Sequence, residues 1–235
     1  MTEHEQTELL QRGEINIVGR VAGSSNQALL VEVTHERTTA LACYKSARGE
    51  RPLWDFPDGL WRREVAAFEL DRVLATGLVP PTVARDDAPF GPGSLQWWVE
   101  DNGIDHFFTL RDRPELREWF IRLGAFDVVA NNADRKSGHV LFDDARCWAI
   151  DNGLCFNTED KLRTVLWEFA REQLPVDLSE RLHELGAGNV GDLARWLTPD
   201  ELAFTQMRAT DLARRGWLPE PDEDREWPPY PWPLI

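Results

Sequence analysis

An α+β protein of two lobes, with a small antiparallel β-rich N-terminal lobe and a mostly helical C-terminal lobe, is predicted by three observations. Residues 15 to 45 carry three β-type runs separated by short polar turns. After "EDNGID" the composition turns helical, which places the lobe boundary near residues 100 to 106. Inside the helical part, the apolar runs "HVLF" and "CWAI" are joined by the turn "DDAR", a hairpin pattern. The expected organisation is an N-lobe over 1–103, a C-lobe over 104–220 and an extended tail over 221–235. A chain of 235 residues with 42% apolar and 29% charged residues is long enough to bury a core of this kind.

Taken in order, "MTEHEQTELLQRGE" is acidic and lacks a basic region followed by an apolar one, so no secretory signal is read there. "INIVGRVAG", "ALLVEVTHE" and "RTTALACYKS" form the predicted meander. In the third run Leu41, Cys43 and Lys45 share one face, and Ala40, Ala42 and Tyr44 share the other. "ARGERPLWDFPDG" is a loop, and "LWRREVAAFELDRVLAT" is a helix ended by Gly77. "LVPPTVARD" holds a short strand and "GSLQWWVED" another, giving the order β-β-β-α-β-β.

In the second lobe, "RPELREWFIRLGAFDVVANN" places Leu116, Trp119, Phe120 and Leu123 at helical spacing. "NTEDKLRTVLWEFAREQLP" is expected to be a helix with Leu162, Val165, Leu166 and Phe169 on one stripe and Pro175 as its stop. "LTPDELAFTQMRATDLARRG" opens with a capping box, Thr198 at the N-cap, Pro199 at N1 and Glu201 at N3, and Gly216 closes it. The tail "EWPPYPWPLI" is expected to lie extended on the surface through its tryptophans. A docking motif for a proline-recognising partner is the alternative.

Charge excludes several classes. A net charge of −15 repels nucleic acid and anionic membrane surfaces. No apolar run approaches the roughly 20 residues of a bilayer span, so no stable membrane insertion is expected. Cys43, Cys147 and Cys155 fit no zinc spacing and read as reduced thiols of a cytoplasmic protein. No G-x-S-x-G setting surrounds any serine, and "GRVAGSS" lacks the G-K-[ST] of a Walker loop.

The chemistry concentrates in "NNADRKSGHVLF" and "AIDNGLCF". A hairpin brings its ends together, so Asp134, His139 and Asp151 are expected to converge on one edge. Converging acids are costly to bury, and a divalent cation would neutralise them. Lys45 ends its strand facing a core or cleft, with Glu64 on the next helix as its partner and Glu69 as the less favoured one. The turn at Gly23, Ser24 and Ser25 has small residues whose N–H groups can approach phosphate oxygens. Glycine turn, strand lysine, helix glutamate, loop aspartate and post-hairpin aspartate follow the order of working parts in a two-lobed phosphotransferase.

On these segments, and on "REVAAFELDRVLATGLVPPTV", the chain resembles the phosphatidylinositol 3-/4-kinase superfamily over roughly residues 15 to 170, most like its type II 4-kinase branch. It resembles more closely still a group of actinobacterial proteins related to those kinases. The resemblance implies a two-lobed protein-kinase-like fold, ATP as donor and Mg2+ or Mn2+ as cofactor. It makes Asp134 the catalytic-loop aspartate and Asp151 the metal aspartate, with Lys45 on the α/β phosphates, held by Glu64. Gly23, Ser24, Ser25 and Trp98 join Lys45 as nucleotide-contacting candidates. His139 stands where those kinases place an asparagine as second metal ligand, and Asn152 is a substitute donor. If His139 ligates, activity should favour manganese and fall below about pH 6.5. The acceptor is expected to be a protein or small-molecule hydroxyl. A nucleotide-binding scaffold without transfer is the alternative.

Overall fold

The computed structural model describes residues 1–21, 27–222, 224 and 227–235. Helix α1 (Glu3–Arg12) comes first, and sequence reasoning passed over it. Its signal was present: Thr2 and Glu5 form a reciprocal capping box, and Leu9 and Leu10 are buried under the sheet. Strands β1 (Glu14–Arg20), β2 (Leu29–His35) and β3 (Thr38–Ser46) form the expected antiparallel meander. In β3 the Ala42 and Tyr44 face packs into the apolar cluster with Leu9, Leu10, Val31 and Val33. The opposite face, with Lys45, is thereby turned to the cleft.

Helix α2 (Leu60–Leu74) follows, and it stops at Ala75 in the left-handed region, two residues before the glycine expected to end it. Strands β4 (Thr82–Arg85) and β5 (Gly93–Trp97) complete a five-stranded sheet in the order β1-β2-β3-β5-β4. Gly93 sits where a Cβ would strike the Lys45 carbonyl and the Tyr44 ring, so glycine permits β5 to pack beside the lysine strand.

The C-terminal part begins with the single turn α3 (Phe107–Leu110) and the central helix α4 (Arg117–Ala130). Phe107, Phe120 and Phe169 cluster with centroids 5.3 and 5.4 Å apart along the chain of contacts. Apolar residues of α2 join this larger core rather than the sheet cluster. Strands β6 (Val140–Phe142) and β7 (Cys147–Ala149) form the predicted hairpin.

Residues 157 to 175 correct the sequence reading, because no α-helix forms there. The backbone is drawn instead onto the loop after α4: Arg163 N–H donates to Asn132 O (2.9 Å), Arg135 N–H to Arg163 O (3.0 Å) and Val165 N–H to Arg135 O (3.1 Å). Those tertiary bonds override local propensity, and only Leu166–Phe169 coils, as a 3-10 turn. Leu162, Val165, Leu166 and Phe169 are all buried regardless. Pro175 is not a stop but the N-cap of α5 (Val176–Gly186), a helix absent from the sequence reading. Helix α6 (Pro199–Arg215) has the predicted capping box and Gly216 terminus.

The tail forms neither helix nor strand among its described residues. Its attachment differs from expectation: Trp227 and Trp232 are 57% and 88% exposed. Backbone carbonyls hold it instead. Pro229 O accepts from Thr164 N–H (3.1 Å) and Trp167 Nε1 (2.8 Å), and Leu234 O accepts from Ser137 N–H (2.9 Å). Among the described residues no helix is long and apolar enough to cross a membrane.

Candidate active site

The loop after α4 is built by its two asparagines. Asn131 leaves the helix in the left-handed region (φ 52°), a conformation asparagine tolerates. Its amide donates to Asn157 O (2.8 Å) and Glu159 O (2.6 Å), and its oxygen accepts from Lys161 N–H (3.0 Å). The Asn132 side-chain oxygen accepts from Asp134 N–H (3.0 Å), and its amide donates to Asp127 (3.0 Å). Below the loop, Arg135 and Asp127 form an ion pair that is fully buried on both sides. Arg135 also donates to Ile150 O (2.8 Å) and Asn152 Oδ1 (2.6 Å), so one guanidinium ties the loop carrying Asp134 to the hairpin end carrying Asp151. Sequence reasoning missed this pair; a lone aspartate inside an apolar helix stretch, "AFDVVA", was its available signal.

Lys45 reaches from β3 into the cleft and pairs with Glu64 of α2, as expected. Glu69 bonds Arg72 instead. The same ammonium bonds Asp151 Oδ1 at 2.7 Å. Glu64 uses its other oxygen to accept from Asn152 N–H (3.0 Å). Burial pulls Lys45 toward its neutral form, but the facing Asp151 and Glu64 carboxylates outweigh it, so its pKa is raised and it stays cationic. The Lys45 ammonium, against burial, holds Asp151 well below the usual carboxylate range. With 42% of the Asp151 side chain exposed, solvent screens part of that attraction. Asp151 has φ 57°, a left-handed conformation uncommon for a residue other than glycine; such geometry concentrates at functional sites.

His139 lies in the turn Ser137–His139, and its Nε2 is 3.4 Å from Asp151 Oδ2. Its carbonyl accepts from Ile150 N–H (3.0 Å), extending the hairpin ladder and bringing the two side chains together. Burial pushes the imidazole pKa down to about 4, only partly offset by Asp151. The ring is therefore neutral well below pH 6.5, with Nδ1 facing Lys136 N–H (3.5 Å), and the expected acid limb of a metal-bound His139 moves downward.

Asp134 pairs with Lys136 at 2.9 Å, a partner not anticipated. Burial raises the Asp134 carboxyl above its ordinary value, with Lys136 opposing, a direction that suits a proton acceptor. Asn152 does not serve as a substitute metal donor, because it is fully buried with its oxygen already accepting from Arg135. Trp98 follows β5 at the link between the lobes, half-buried, its N–H donating to Leu41 O (3.1 Å). Gly23, Ser24 and Ser25 lie outside the described residues.

Among the described residues no three His, Cys, Asp or Glu side chains converge as a closed metal cage. The pair Asp151 and His139, one oxygen and one nitrogen donor on a partly exposed edge, fits a divalent ion that completes its shell with water and substrate phosphates.

No family model matches this chain. Among solved structures, hydra Fam20 with sugar aligns over 90% of this chain and 88% of its own, with a TM-score of 0.61 and 15% identity. The Helicobacter pylori proinflammatory kinase CtkA aligns over 89% and 94% with a TM-score of 0.49 and 14% identity. The first of these likenesses, with the five-stranded sheet set against a helical part, makes the fold two-lobed and protein-kinase-like. Protein Rv2133c of Mycobacterium tuberculosis (strain ATCC 25618 / H37Rv) is 35% identical over 266 residues, spanning 97% of this chain and 94% of that one. At that identity over nearly the full length of both, this protein belongs to the family of Protein Rv2133c.

Proposed function

We propose that the protein is an ATP-dependent and divalent-metal-dependent phosphotransferase of the phosphatidylinositol 3-/4-kinase-related type, working in the cytoplasm on a hydroxyl of a protein or small molecule. One observation carries this reading: a half-buried, charged lysine from β3 is held between a helix glutamate and the post-hairpin aspartate, Asp151. In this reading Lys45 binds the α/β phosphates, and Glu64 keeps it extended toward them. Asp151 and His139 hold the cation, which supplies charge neutralisation on the triphosphate. Asp134 orients the acceptor hydroxyl and accepts its proton.

Isothermal titration of the full chain with ATP, with and without Mg2+ or Mn2+, tests the reading, together with labelled ATP and a cell extract. The wild type is expected to bind ATP only with metal. Asp151→Ala should lose that binding by at least tenfold while keeping its circular dichroism. Asp134→Asn should bind ATP and transfer nothing. Unchanged ATP affinity in Asp151→Ala overturns the assignment. The second reading, a nucleotide-binding scaffold, is favoured by His139 in place of an amide ligand. Metal-dependent ATP binding without transfer in any extract would select it.

A further inference from the structure

A cavity of about 880 Å³ is lined by Asp134 and Lys136 but by none of Lys45, Glu64 and Asp151. It therefore opens onto the catalytic-loop acid and not onto the ionic cluster. Its volume is in the range of small-molecule sites, roughly 300–1,000 Å³. Three indole rings line it: Trp54, Trp227 and Trp232, exposed by 85%, 57% and 88%. Tryptophans this exposed bury little surface of their own, although the Lys161 ammonium lies 5.6 Å from the Trp54 ring centre, and such rings mark binding surfaces. Two of the three come from the tail, whose carbonyl bonds to Thr164 and Ser137 fasten this wall to the loop bearing Asp134.

Charge narrows the ligand. Among the described residues the wall carries five carboxylates and three cationic side chains. Two of those cations are already engaged: Lys136 by Asp134 (2.9 Å), and Lys161 by Asp55 (3.2 Å) and Glu159 (3.3 Å). An anionic headgroup would meet net repulsion here, five carboxylates against three cations, and a bare lipid chain would desolvate those charges without pairing them. A neutral ring bearing hydroxyls meets neither. Its C–H faces stack on indole, and its hydroxyls donate to carboxylates.

We propose that this cavity is the acceptor subsite, and that it takes a neutral, hydroxyl-rich ring, a sugar or glycoside, rather than a phosphoinositide headgroup. This rests on the phosphotransferase reading above. In the step, the sugar oxygen forms a bond to the γ-phosphorus of ATP. The bond from that phosphorus to the β–γ bridging oxygen breaks, its electron pair leaving with the nucleoside diphosphate. The hydroxyl proton passes to the Asp134 carboxylate.

The test uses the full chain. Saturation-transfer NMR and calorimetry are run with neutral methyl glycosides of hexoses and pentoses, with inositol 1-phosphate and with a serine-containing peptide. ATP binding with manganese is measured in parallel. At least one glycoside should bind saturably, and Trp232→Ala or Trp54→Ala should weaken it at least tenfold with ATP affinity unchanged. The proposal is overturned if no glycoside binds, if only inositol 1-phosphate or the peptide binds, or if both tryptophan variants retain full glycoside affinity. Glycoside binding in a chain that does not bind ATP would remove the phosphotransferase reading, and with it the acceptor role, leaving a sugar-binding site.

Discussion

Replacing Asp127 with asparagine is expected to be among the most damaging single changes in the chain, although it swaps one side chain for another of nearly equal size. Asp127 accepts three bonds from Arg135, at 3.0 to 3.1 Å, and further bonds from Asn132 (3.0 Å) and Thr164 (3.2 Å). Neither member of the ion pair has exposed side-chain surface. Neutralising Asp127 leaves a guanidinium in the interior with no counter-charge, a loss of about 3–5 kcal/mol. Arg135 keeps Ile150 O and Asn152 Oδ1, so the lower end, about 3 kcal/mol, is expected. For a chain of this size that is roughly 6–12 °C in Tm. Urea denaturation with an unchanged slope, alongside a thermal scan, reads it directly. Asp127→Leu combined with Arg135→Met removes both charges but strips Ile150 O, Asn152 Oδ1, the Asn132 amide and the Thr164 hydroxyl of partners, so the two losses should be non-additive without restoring wild-type stability. The reasoning is refuted if Asp127→Asn stays within about 1 kcal/mol of wild type, or if the loss in the double variant equals the sum of the losses in Asp127→Leu and Arg135→Met.

Two further outcomes follow from the same structure. In the metal-free protein His139 titrates near 4 when folded against about 6.5 when unfolded, so between those values the unfolded chain binds more protons. Stability from this group is present above about pH 6.5 and is lost as pH falls toward 4, by about 3 kcal/mol in all. His139→Asn should flatten that part of the stability–pH curve, and an identical slope in the variant would contradict the burial argument. Thr198→Ala removes the oxygen that accepts from Glu201 N–H (3.3 Å) and should cost about 1 kcal/mol, with Thr198→Ser near wild type; equal stability of all three would show that the cap contributes nothing.

The ionic cluster was legible because it depends on order and on a hairpin. Alternation along "ALACYKS" turned Lys45 to the cleft, and two short apolar runs around "DDAR" had to bring His139 beside Asp151. Interior support was not legible. Arg135 sits one residue past Asp134 in a polar stretch, and nothing local marks it as the buried partner of Asp127 in a helix eight residues earlier. Residues 157 to 175 carry helical spacing because their apolar side chains do face the core, yet the backbone is claimed by Asn132 and Arg135. The place of the tail beside Asp134 arises from single carbonyl contacts, which leave no pattern in the residues that make them.

The bonds in the cleft have a mechanical side. The bonds of Lys45 to Asp151 and to Glu64 tie the sheet to the helical side, with which α2 itself packs, across the site. On the proposed reading, an opening wide enough to admit a triphosphate would strain those same bonds, so ligand entry and the hold between sheet and helices would share one set of atoms. Removing Lys45 therefore loosens the sheet at the site and, on the proposed reading, removes a phosphate contact as well. Asp134 is different: its carboxylate pairs with Lys136 two residues away, entirely on one side of the opening. On the proposed reading, Asp134 is the position at which chemistry would be silenced while the grip between the halves stays intact.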